Sequence, residues 1–207
     1  MDASLRARLS RAESPVPDAQ LDELDALYRS PTRYYHTIEH VCEVLTHYRQ
    51  VDDEGLWSRP DEVYFAVLYH DAIYEYGAKD NELQSALVAR EQLSKWLPDR
   101  ALDLDYIAHL IELTARHGAL TPADVSDEEA LFLDCDLAII ASSWARFEEY
   151  QAQIELEYTQ VYTRFWYRLG RRRFLKKLAH QERLFLSPRF HERCDALARA
   201  NLERALN

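Results

Sequence analysis

Apolar residues recur along this chain three and four positions apart, the spacing of one helix face, and no stretch makes a convincing strand. Leu21, Leu24, Ala26, Leu27 and Tyr28 form the first stripe. Ser14-Pro15-Val-Pro17 opens it, with Ser near the cap and Pro in the first turn, and Ser30-Pro31-Thr32 breaks it. Val41, Val44, Leu45 and Tyr48 form the next, reached through Arg33-Tyr-Tyr-His36-Thr-Ile-Glu-His40 and closing at Val51. His40 precedes Val44 by one turn, and His36 is one turn earlier, so both belong on or beside the buried face.

The third segment is apolar nearly all round: Val63-Tyr-Phe-Ala-Val-Leu-Tyr-His70-Asp71-Ala-Ile-Tyr74. Ser58-Arg-Pro60-Asp61 reads as its capping box. It is expected to be the core helix, ending beyond Tyr74 near Gly77. Asp80-Asn81-Glu82 opens another helix, which Pro98 stops. Asp103 to His117 carries Ile107, Leu110, Ile111 and Thr114 as a stripe, with Gly118 as its stop. Thr121-Pro122 is a loop or short turn. Ser126-Asp-Glu-Glu129 is a second capping box, starting an apolar helix from Ala130 to Ile140. Ser143 caps a helix from Trp144 to Val161. A basic segment from Arg164 follows, and Ser187-Pro188 opens a last helix running nearly to Asn207. No repeat or linker interrupts the series, so the chain is predicted to be an all-α, single-domain bundle of about nine helices.

Composition narrows the function. Four glycines in 207 residues, with no Gly-rich phosphate loop, argue against P-loop and Rossmann enzymes. A formal net charge of -11 opposes binding to a nucleic-acid duplex. A small anionic substrate stays open, because a metal or local arginines can reverse the field in a pocket. Three scattered cysteines, Cys42, Cys135 and Cys194, suit a reducing compartment. There is no apolar signal core, and no run approaches the ~20 residues that span a bilayer. A cytoplasmic protein without a membrane partner is expected. A homodimer is open, with no heptad seam to mark its face.

The inner faces of three predicted helices hold His36, His40, His70, Asp71, Asp134 and Asp136. A lone histidine on an apolar face is usually a satisfied core residue, but buried ionisable groups without partners are costly. His70 and Asp71 point about 100° apart on a helix, yet both reach an ion lying over the groove between them. Helix bundles build metal sites from imidazole and carboxylate donated inward by several helices.

The ordered set resembles the HD superfamily of metal-dependent phosphohydrolases. The matching residues are His40 opening a helix, the pair His70-Asp71 ending an apolar one, and a later Asp before an apolar segment. More narrowly, the chain is similar to predicted HD-type phosphohydrolases with an Arg-Tyr-x-His-Thr-x-x-His start, here Arg33 to His40. The likeness continues through Phe65 to Tyr74, Asn81 to Ala86, Thr114 to His117, Phe132 to Ala138, Glu157-Tyr158 and Gly170-Arg171, covering most of the chain in order.

The resemblance implies one HD-type helical domain over residues 1–207, with a metal-site core at about 33–142 and C-terminal helices over 143–207. It implies one or two divalent ions (Mn, Mg, Fe, Zn or Ni) on His40, His70, Asp71 and one of Asp134 and Asp136, the choice between these two staying open. His36 would lie behind the ligands or face the substrate. His117 is the candidate general acid or base, although a histidine at a helix end also suits the last carbonyls. Glu82 would hold a second metal or its water, or serve as a polar residue of a first helical turn. Lys79, Arg33 and Arg116 are candidate phosphate contacts. The implied activity is hydrolysis of a small phosphoester, such as a nucleotide, by metal-activated water. Two rivals share the scaffold: a di-iron oxygenase, and a regulatory module that binds metal or ligand without turnover.

Overall fold

A computed structural model describes all residues from Met1 to Asn207. The fold is all-helical, with ten α-helices, short 3-10 turns and no strand. No helix is long and apolar enough to cross a membrane. The chain divides into two compact units, Met1–Arg116 and His117–Asn207.

The first unit holds α1 (Ala3–Leu9), α2 (Asp18–Tyr28), α3 (Ile38–Asp53), α4 (Pro60–Tyr69), α5 (Asn81–Trp96) and α6 (Leu104–Leu113). Helix α4 is its axis: every residue from Val63 to Tyr69 is fully buried, and α3, α5 and α6 pack on it. A helix sealed on all sides cannot send its tyrosine hydroxyls to water, so they bond to carbonyls or amides of its neighbours. Tyr64 donates to the Leu9 carbonyl of α1 at 2.7 Å, and the Gln20 amide of α2 donates to Tyr69 at 3.0 Å. Tyr48 of α3 donates to the Pro60 carbonyl at 2.8 Å. Burial pushes the Tyr69 hydroxyl up to about 12, and that of Tyr64 higher still.

Helix α4 departs from its sequence expectation at both ends. Its N-cap position is Arg59, with no side-chain cap bond, so Ser58 does not form the expected box. Pro60 takes the first helical position, and Asp61 anchors the first turn through Arg11 at 2.6 Å and Arg100 at 2.8 Å. At the other end the helix stops at Tyr69 rather than beyond Tyr74, and its last carbonyls are taken by the ring of His70, the next residue, and by the Tyr28 hydroxyl from α2. Helix α2 likewise opens at Pro17, one residue before the helix, with no serine cap. Helix α1 was not expected at all: seven residues capped by Asp2 bury only Leu9, too little for a recognisable stripe.

The second unit holds α7 (Asp127–Leu137), α8 (Trp144–Tyr158), α9 (Arg164–Ala179) and α10 (Pro188–Leu206), with 3-10 turns at Pro122–Asp124 and Ala138–Ala141. The Ser126–Glu129 box forms as expected, and Ser143 and Ser187 cap α8 and α10. Gly118 does not stop α6, which ends at Leu113 and tightens into a 3-10 turn over Thr114–Arg116. The core gathers Phe132, Phe147, Phe185 and Phe190, all buried.

Asp134 organises this unit. Its carboxylate accepts from the Leu186 amide at 2.8 Å and from both the amide and hydroxyl of Ser187, at 2.7 and 2.6 Å. It therefore fixes the entry of α10 from α7. Burial pushes its carboxyl up to about 6, against these three donors. Asp134→Ala leaves buried donors without acceptors and is expected to cost about 2–3 kcal/mol. Ser126→Ala, the loss of one exposed cap, is expected to cost about 1 kcal/mol. Urea titration of the full chain checks the order. A transition midpoint for Asp134→Ala equal to wild type would contradict it.

Candidate metal centre

The site is built where α4 runs out. The last carbonyls of a helix have no intrahelical partner, and inside a protein they must find one. Val67 O accepts from the Nδ1 of His70 at 2.9 Å, and Leu68 O from the Tyr28 hydroxyl at 2.9 Å. Tyr69 O accepts from the Ala72 amide at 3.0 Å. The chain then turns away, and the buried guanidinium of Arg33 takes the next two carbonyls, Asp71 O at 2.8 Å and Ala72 O at 3.0 Å. Arg33 also donates to His36 O at 3.1 Å, which joins the approach to α3 with the exit from α4.

Helix α5 holds the rest of this turn. Ser85 Oγ accepts from the Ile73 amide and donates to its carbonyl, at 3.0 and 3.2 Å. One turn earlier, Asn81 brackets Glu75 in the same way, both bonds at 2.9 Å. The Tyr76 hydroxyl donates to Thr32 O at 2.6 Å. The backbone on both sides of Asp71 is thus pinned by side chains of three separate segments.

Three ligating atoms converge within this frame. His40, in the first turn of α3, places its Nε2 3.0 Å from Nε2 of His70. Asp71 Oδ2 lies 3.6 Å from the first nitrogen and 3.2 Å from the second. A point equidistant from atoms so spaced lies about 1.9 Å from each in their plane. That spacing would suit the ~2.0–2.2 Å bonds that imidazole nitrogen and carboxylate oxygen make to one ion. His40, His70 and Asp71 can hold a metal ion.

Tautomer chemistry points the same way. A carbonyl only accepts, so His70 carries hydrogen on Nδ1, and in the neutral ring Nε2 bears a lone pair. That lone pair faces a carboxylate oxygen and a second imidazole nitrogen. One bridging proton serves one pair of these atoms, whereas one metal ion serves all three. With protons in place of an ion, burial opposes ionisation of Asp71, but protonated His70, with His36 and His40 behind it, would hold its carboxyl well below the usual range. His40 and His70 are sealed, while 16% of the Asp71 side chain is exposed, so the approach to the cluster lies on the carboxylate side.

The other expected site residues fall as follows. His36 lies in the turn before α3, not one helical turn before His40, and its ring stacks on Tyr74 at 3.8 Å and 17°. Its ring is 6.1 Å from that of His40. Glu82 occupies the first turn of α5, outside the three-residue cluster. His117, Asp134 and Asp136 belong to the second unit. There the Nε2 of His117 donates to Leu133 O at 2.8 Å, leaving Nδ1, 3.4 Å from Asp136 Oδ2, as the nitrogen able to exchange a proton. The Asp134 carboxylate is taken up by Leu186 and Ser187. Arg33 is a structural clamp rather than a phosphate contact, a role its motif does not reveal, because two of its three partners are backbone carbonyls 38 and 39 residues away.

No protein family model matches the chain, and neither curated proteins nor solved structures yield a match.

Arg33→Ala is expected to keep the helical content and to weaken metal binding by ~10–100-fold, as loss of a group that orients ligands does. Arg33→Lys is not expected to restore it, since one ammonium group does not reproduce the guanidinium fork. Calorimetric titration with Mn²⁺ or Zn²⁺ checks both, and wild-type affinity in Arg33→Ala would show that the clamp does not position the ligands.

Proposed function

We propose that this chain is a metal-dependent phosphohydrolase of the HD superfamily acting on a small phosphoester. The observation that carries the proposal is the triangle of two imidazole nitrogens and one carboxylate oxygen, with sides of 3.0, 3.2 and 3.6 Å, at the end of a buried helix. The ordered motifs around it, from Arg33-Tyr-Tyr-His36 through His70-Asp71 to Asn81 and Ser85, add support, since each supplies a ligand or a bond that pins the turn carrying one.

Three protein ligands leave coordination positions for water and substrate, the arrangement of catalytic rather than structural sites. A divalent ion held there supplies a water of lowered pKa and neutralises charge on a phosphoryl oxygen. The protein's part is to fix the ligands. His70 is fixed by Val67 O, Asp71 by the clamped turn, and His40 by the rigid start of α3. His36, half-buried and stacked on Tyr74, is the residue of this unit best placed to meet a substrate oxygen beside the ion.

The test uses the full chain loaded separately with Mn²⁺, Fe²⁺, Zn²⁺ and Mg²⁺, its metal content measured by mass spectrometry. Phosphate release is then followed from a panel of nucleotides, sugar phosphates and aryl phosphates. Metal-dependent release is expected, falling by more than ~100-fold in His70→Ala and Asp71→Ala with loss of the bound ion. Bound metal with no phosphate released from any ester would overturn the hydrolase assignment. Oxygen consumption by the Fe²⁺ form would then assign the scaffold to oxygenase chemistry.

A further inference from the structure

A second feature lies on and beside α9, among residues to which no chemistry is assigned above. Six exposed large hydrophobic side chains fall between residues 156 and 174: Leu156, Val161, Tyr162, Phe165, Trp166 and Phe174. Phe165 and Trp166 are the most exposed, at 69% and 61%. Tyr167, Leu175 and Leu178 of the same helix face inward, where α9 packs on α8 and α10. At 100° per residue, the opposite face gathers Phe165, Trp166, Leu169, Arg172, Arg173 and Lys176. The helix holds five arginines, two lysines and no acid, in a chain of net charge -11. Glu155 pairs with Arg164 and Arg168, whereas no carboxylate pairs with Arg173, Lys176 or Lys177. Aromatic side chains interleaved with arginine are the composition of interface hot spots, and an apolar patch of this kind is uncommon on a surface without a partner.

The chain itself carries the complement. Residues 1–116 hold 22 acidic and 12 basic side chains. On α5, Leu83 and Leu87 lie one turn apart and exposed, at 46% and 51%, between exposed Asp80 and Glu91. The two cations of α5 are already engaged, Arg90 with Asp105 at 2.6 Å and Lys95 with Glu23 at 2.7 Å. One face is thus aromatic and cationic, the other aliphatic and anionic.

We propose that the Phe165–Trp166 face of α9 docks on the Leu83–Leu87 face of α5 in a second copy of this chain. Two α9 faces are a poor match for each other, because Arg172, Arg173 and Lys176 of one would confront the same three of the other. In an α9–α5 contact between copies, apolar surface meets apolar surface and arginine meets carboxylate. An anionic bilayer or a single-stranded nucleic acid would also suit aromatic and cationic side chains, but neither presents exposed leucines flanked by carboxylates, as the Leu83–Leu87 face of α5 does.

Sedimentation equilibrium of the full chain at low and high salt tests this. A dimer is expected that weakens as salt rises. Trp166→Ser on one side and Leu87→Lys on the other are each expected to raise the dimer dissociation constant at least ~30-fold while circular dichroism stays unchanged. Mixing a Glu91→Lys chain with an Arg173→Glu chain, each weakened alone, is expected to give a mixed dimer. A monomer at all concentrations, or a dimer indifferent to Trp166→Ser, would overturn the proposal. So would a monomer whose α9 instead captures phosphatidylserine vesicles or a single-stranded oligonucleotide.

Discussion

The terminal carbonyls of a fully buried helix must be satisfied by protein, and in the first unit that requirement makes the site. Water cannot reach the end of α4, so His70 turns its Nδ1 to Val67 O, Tyr28 reaches Leu68 O, and Arg33 takes the carbonyls of Asp71 and Ala72. Each bond that completes the backbone also fixes a ligand. The His70 ring is left in one tautomer with its lone pair pointing at His40 and Asp71, and the Asp71 backbone cannot swing away. Stability and chemistry share these bonds, so a change to the clamp reaches the ligands without touching them.

The second unit shows the other use of a buried acid. Asp134 sits on an apolar helix much as a ligand would, yet its oxygens accept from the chain entering α10. Asp195 behaves similarly: burial opposes its charge, but Arg199 and the Leu184 amide hold its carboxyl below the usual range. Burial together with a carboxylate is therefore not sufficient to mark a metal ligand. The groups around it decide, and for Asp71 Oδ2 these are the Nε2 atoms of His70 and His40 rather than backbone amides.

Much of this was legible in the chain. The stripe Val41, Val44, Leu45 and Tyr48 is buried as its spacing predicts, and Ser126, Ser143 and Ser187 begin their helices. His40, His70 and Asp71 could be singled out because ionisable residues on apolar helices need a reason to be there. What failed to show were features set by distant partners. Helix α4 ends at Tyr69 because Tyr28 and Arg33, far off in sequence, compete for the backbone beyond it, while the local apolar pattern runs on to Tyr74. Ser58 has the residue type of a cap, but Pro60 and the Arg11–Asp61 pair start the helix instead. The spacing of Asn81 and Ser85 is ordinary for a helix, and their part in holding the turn after His70 and Asp71 depends on where Ile73 and Glu75 lie in space.

The most direct test of the central claim is anomalous diffraction from a crystal of the full chain loaded with Mn²⁺. The account requires a peak ~2.1 Å from His40 Nε2, His70 Nε2 and Asp71 Oδ2. No peak among these atoms, with the two imidazole nitrogens still at hydrogen-bond distance, would show that a shared proton holds them and that the protein's chemistry lies elsewhere.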